Sequence, residues 1–112
     1  MSKTITYTGK KWAGSVTLSE PLTLPQAEAF EAGLVIPKDY PTEGSVFHTV
    51  MDKEKLPALL ACVEKWELSN FPAEVNAHTF PFSPRGANHE LITWLYSEIG
   101  ILYAGEAEIP NE

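Results

Sequence analysis

Cysteine is nearly absent: Cys62 stands alone in the 112 residues. No internal disulfide can form, so nothing here calls for an oxidising compartment. No apolar run approaches the roughly 20 residues that cross a bilayer, and no basic start leads into a signal-peptide core. A cytoplasmic protein without a membrane segment is expected. Basic residues are also scarce, 8 against 15 acidic ones, for a net charge of −7. That excess repels phosphate, which argues against nucleic acid or an anionic membrane as a partner.

The patterns that carry catalysis or hold a cofactor are missing as well. No glycine cluster precedes a helix, as a phosphate loop requires. His48, His78, His89 and Cys62 fall singly, without the ligand spacings of a metal site. His89-Glu90 lacks the second histidine of the zinc-protease helix. Cys62 lies within LLACV, where a buried small hydrophobe is expected rather than a nucleophile beside a base. Glu64 and Glu67, with Lys65 between them, suit a solvated helix face better than an acid/base pair. A protein with no enzymatic activity, no metal and no cofactor is expected.

What the chain does contain is globular. Hydrophobic residues make up 44% and charged residues 21%, with three Trp, four Tyr and five Phe, a composition that folds rather than one that stays disordered. The length suits a single domain over 1–112, whose core needs no staples. KTITYT alternates Ile5 and Tyr7 with threonines, and SVTL does the same with Val16 and Leu18. Two strands follow, forming a hairpin over 3–18 through GKKWAG, whose glycines suit a loose or bulged turn. Thr23-Leu24-Pro25-Gln26 is a capping box with proline in the first turn; it opens a short helix over 24–32, with Gly33 as its stop. Residues 33–44, with Pro37 and Pro41, form a loop and the best internal hinge. SVFHTV over 45–50 fits either a third strand or the lead-in to a helix.

The longest apolar periodicity runs through DKEKLPALLACVEKWELSNF. Leu56, Leu59, Leu60, Val63 and Trp66 recur at helical spacing, which predicts a helix over 53–69, capped by Asp52, with Pro57 near the end of its first turn. The other face, with Lys55, Glu64, Lys65 and Glu67, is solvated. A second long helix is expected over 85–103 on the stripe Leu91, Ile92, Leu95, Ile99 and Leu102, with Ser83-Pro84 or Asn88 marking its start. Between the helices, prolines hold the chain extended and set Phe80 and Phe82 to the same side. The tail over 105–112 is acidic and frayed. The fold class is α+β: an amino-terminal β-hairpin, extended to three strands if 45–50 joins it, packed with one short and two longer helices.

Function then falls to surface contacts. Trp12, Trp94, Tyr96, Tyr103, Phe80 and Phe82 exceed what a two-helix core requires, and aromatic residues anchor protein interfaces. Trp12 in the hairpin turn has two readings, as core or as a contact at the rim. The expected binding residues are Trp12, Phe80, Phe82, Arg85, Trp94 and Tyr96.

Six segments carry a resemblance: Trp12-Ala13-Gly14-Ser15-Val16 leading into Pro21-Leu22-Thr23, Cys62-Val63-Glu64-Lys65-Trp66, Phe80-Pro81-Phe82-Ser83-Pro84-Arg85, Leu91-Ile92-Thr93-Trp94-Leu95 and the terminal Ile109-Pro110-Asn111-Glu112. In this order they resemble the tail assembly chaperones of tailed bacteriophages. The resemblance implies a non-enzymatic protein of the infected bacterial cytoplasm that binds the aggregation-prone tape-measure protein while the tail tube is built around it. Two other expectations stand beside it: a minor structural protein of the tail or neck, and a small acidic inhibitor directed at a host enzyme.

Overall fold

A computed structural model describes residues 2–34, 44–83 and 85–104. The expected hinge over 33–44 falls mostly outside the described residues, and the expected tail over 105–112 wholly outside them. The elements in order are β1 (Ser2–Tyr7), β2 (Gly14–Ser19), α1 (Leu24–Ala32), α2 (Gly44–Cys62), β3 (Val63–Leu68) and α3 (Ala87–Ala104). The strands form one antiparallel sheet in the order β1-β2-β3, and α2 packs against both α1 and α3. The architecture is α+β, with the third strand arising elsewhere than at 45–50.

Period-two alternation sorts the sheet into two faces. Val16 and Leu18 are fully buried, and Tyr7 lies with them in the core. Thr4 and Thr17 oppose each other across β1 and β2 on the other face, their hydroxyls 3.1 Å apart. Trp12 sits in the hairpin connection at φ +63, a backbone region costly for a bulky residue. Burial of its ring against Phe71, with centroids 5.3 Å apart, offsets that cost.

The capping box forms as the sequence predicts. Thr23 N–H donates to Gln26 Oε1 at 2.8 Å and Gln26 N–H donates to Thr23 Oγ1 at 3.4 Å. Gln26 also donates from Nε2 to the Ala61 carbonyl at 2.9 Å, which supplies a partner for one of the carbonyls left over at the end of α2. Gly33 ends α1 in a right-handed conformation, so positive φ is not what it provides. A Cβ there would lie 2.7 Å from the Tyr96 hydroxyl; the residue is small because α3 passes close by.

The expected helix over 53–69 is two elements. Helix α2 begins at Gly44, through the stretch that could have been a strand, and ends at Cys62; Val63–Leu68 is strand β3. The helical reading of Val63 and Trp66 failed because of a bulge. Val16 pairs with Trp66, Thr17 with Lys65 and Leu18 with Val63, which leaves Glu64 as an extra residue in β3. The insertion returns Val63 to the face of Trp66 and Leu68, so a spacing of three is compatible with one face of a strand. Trp66 is buried as expected, but from the sheet.

Two local expectations change with it. Asp52 lies within α2 rather than capping it, and Pro57 is interior. Without an amide hydrogen, Pro57 leaves the Lys53 carbonyl lacking its helical partner; burial of the neighbouring Ala58, Leu59 and Cys62 holds the helix together there. Cys62 is a fully buried core residue whose thiol is pushed up to about 11 by burial, so it stays protonated near neutral pH. Helix α3 buries Leu91, Ile92, Leu95 and Ile99 as its stripe predicts. It starts at Ala87, with the Gly86 carbonyl accepting from the Glu90 amide at 3.0 Å, so neither Ser83 nor Asn88 occupies the cap. Among the described residues, no helix is long and apolar enough to cross a membrane.

Candidate binding surface

After β3 the chain turns at Asn70, whose φ is +55, and returns across the rings of the core. Phe71 stacks on Trp66 at 5.3 Å between centroids, and Phe80 meets Trp66 and Phe71 edge-on at 6.0 and 5.5 Å. Between them the backbone is held by a local turn: Asn76 Oδ1 accepts from the His78 amide at 2.8 Å and Thr79 Oγ1 accepts from the Asn76 amide at 2.9 Å. The irregular segment is therefore a built surface on an aromatic base.

A polar network fixes its far end. Ser83 N–H donates to Asn88 Oδ1 at 3.0 Å, Asn88 Nδ2 donates to Asp52 Oδ2 at 3.3 Å, and His89 Nδ1 lies 2.8 Å from Asp52 Oδ1. Asp52 is only 6% exposed, and a carboxylate that deep requires such partners. Through it α2, the start of α3 and the approach from Phe80 to Ser83 are tied at one point. Asn88 and His89 are therefore structural in this network; among the described residues no cluster of three metal-ligating side chains forms.

Two recesses flank this junction. One, of about 140 Å³, is lined by Leu56, Phe80, Pro81, Phe82 and Ile92 together with the polar Asp52 and Lys53. Phe82 is 68% exposed there, while Phe80 turns toward Trp66; the two rings share a recess but only one is free. The other, of about 380 Å³, is lined by Lys10 and Lys11 of the hairpin connection and by Ser83, Arg85, Gly86 and Glu90.

The six residues expected to bind thus divide. Phe80 and Phe82 line the smaller recess and Arg85 the larger one. Trp12 and Tyr96 belong to the core instead. The Tyr96 ring stacks on Phe30 at 4.5 Å and its hydroxyl donates to the Phe30 carbonyl, so both its apolar body and its polar tip are satisfied inside; burial pushes its hydroxyl up to about 12. Trp94 is half-buried, tilted against Tyr7 at 4.9 Å. Tyr7 in turn donates to Glu90 at 3.3 Å, and burial first, then the Glu90 charge, pushes its hydroxyl up to about 12.

Sequence reading missed Lys10, Lys11 and the Asp52 network. Lys10-Lys11 is the only adjacent pair of basic residues in an acidic chain, a signal that was present; nothing local marks Asp52 as the partner of Asn88 and His89. In comparisons with family models, curated proteins and solved structures, nothing matches this chain.

Proposed function

We propose that this is a non-enzymatic binding protein of a tailed bacteriophage, a tail assembly chaperone that holds an apolar stretch of the tape-measure protein in the cytoplasm of the infected cell. The observation that carries the reading is Phe82. A large apolar ring left 68% exposed beside an apolar recess, on a segment anchored at both ends, is a preorganised contact rather than a loose loop. A helical client with an apolar side chain for that recess would cover Phe82 and Leu56, while the acidic surface elsewhere keeps the complex from associating further.

Co-expression with fragments of the tape-measure protein tests this. The wild-type chain is expected to recover a fragment, and Phe82→Asp to weaken recovery by roughly ten- to hundredfold, as follows from the roughly 1.5–3 kcal/mol of burying such a ring. Thr17→Asp, on the opposite face of the sheet, is expected to leave it unchanged. Stoichiometric recovery of the chain from purified virions would favour a structural tail or neck protein, and capture of a host enzyme through the same residues would favour an inhibitor.

A further inference from the structure

The cavity beside Arg85 is at odds with the charge of the rest of the chain. In a protein of net charge −7, three of eight basic residues, Lys10, Lys11 and Arg85, line one recess against a single carboxylate, Glu90. Among the described residues, none of the three is in an ion pair; the Lys11 ammonium lies over the Trp12 ring, 5.3 Å from its centroid. The recess also contains Gly86, whose carbonyl takes the first helical hydrogen bond of α3 without a capping side chain. The positive end of an 18-residue helix thus adds to the same field. Ser83 supplies an independent sign. It lines the cavity and is 6% exposed, and its amide is used by Asn88, yet its hydroxyl has no hydrogen-bond partner among the described residues. A hydroxyl buried that far needs an acceptor or donor to compensate its lost water.

We propose that this cavity receives a carboxylate from an acidic segment of a partner protein. A carboxylate fits better than a phosphate because Glu90 shares the recess, held there by the Tyr7 hydroxyl, and repels a dianion more than a monoanion. The planar guanidinium of Arg85 matches a carboxylate in a two-point contact. With a screening length of about 8 Å at physiological ionic strength, a carboxylate inside the cavity feels the three cations and little of the acidic surface beyond. On the chaperone reading, this deepens the description of the client: an acidic residue placed beside the apolar anchor that meets Phe82.

The test needs no client, so it succeeds or fails separately from that reading. Isotope-labelled full-length chain is titrated at low salt with a hexaglutamate peptide blocked at both ends, with hexaglutamine as the neutral control and inorganic phosphate as a separate arm. The expected result is saturable shifts at Lys10, Lys11, Arg85 and Gly86 with hexaglutamate, none with hexaglutamine, and weaker ones with phosphate. Arg85→Gln is expected to weaken the peptide about tenfold, the scale of one charge-assisted hydrogen bond, and Arg85→Glu to abolish it; both replace an exposed side chain, so unchanged stability is expected of each. Lys65→Gln, on the outer face of the sheet beside Glu67, is expected to change nothing. Phosphate binding more tightly than the peptide, shifts spread evenly over all lysines, or no shifts at all would overturn the proposal.

Discussion

Trp66→Ala is expected to lower the stability of the domain by about 3–5 kcal/mol, a large part of the roughly 5–15 kcal/mol typical of a domain this size. The indole is 8% exposed, pairs through its strand with the fully buried Val16, and carries Phe71 and Phe80 on its ring. Its removal leaves a void beneath a segment that lacks regular secondary structure to close it. Urea unfolding would show the loss as a lower midpoint at unchanged slope. Because Phe80 rests on the same ring, the variant is also expected to loosen the recess around Phe82, and client recovery should fall along with stability.

Gly14→Ala should be nearly as damaging for a different reason. Gly14 begins β2 at φ +156, between its two strand neighbours, opposite Tyr7 and Leu68. An added Cβ would overlap the Glu67 carbonyl oxygen and lie 2.9 Å from the Leu68 Cα. These are backbone atoms of the neighbouring strand and cannot rotate away. The strands must separate at this end, at an expected cost of about 3 kcal/mol or more when overpacking and backbone strain combine. Gly86→Ala is the informative contrast: its φ is +87 but no atom lies within 4 Å of the added Cβ, so only the conformational cost of about 1–2 kcal/mol is expected. Thermal melts of the two variants side by side would separate close packing from backbone preference.

The elements whose signals are local were legible in the sequence. The hairpin follows from alternation and two glycines, α1 from a capping box whose two reciprocal bonds both form, and α3 from an apolar stripe of which Leu91, Ile92, Leu95 and Ile99 are buried. The boundary at Cys62 was not, because a bulge at Glu64 gives β3 the three-residue spacing that helices use. Asp52 misled for a related reason. An aspartate before an apolar run is ordinarily a cap, but here its acceptors are spent on Asn88 and His89 from a distant helix, and tertiary pairing leaves no trace in a local pattern.

The candidate surface was legible in part. Phe80, Phe82 and Arg85 were marked by a proline-rich aromatic run, and they line two recesses, the rings one and Arg85 the other. Trp12 and Tyr96 were marked by residue type alone, and their rings serve the core. A tryptophan in a turn is commonly exposed; this one reaches Phe71 because the chain after β3 comes back to meet it. Lys10 and Lys11 become significant only once the hairpin connection is seen beside the start of α3.

Binding of a partner at the junction between the Phe82 recess and the start of α3 would be read out by an amide-shift map of the full chain titrated with a tape-measure fragment. The expected result is a contiguous set of shifts at Leu56, Phe82, Asn88 and Ile92, with the outer sheet face at Thr4, Thr17 and Glu67 silent. Shifts centred on that sheet face, or a fragment that leaves every amide unmoved, would contradict it.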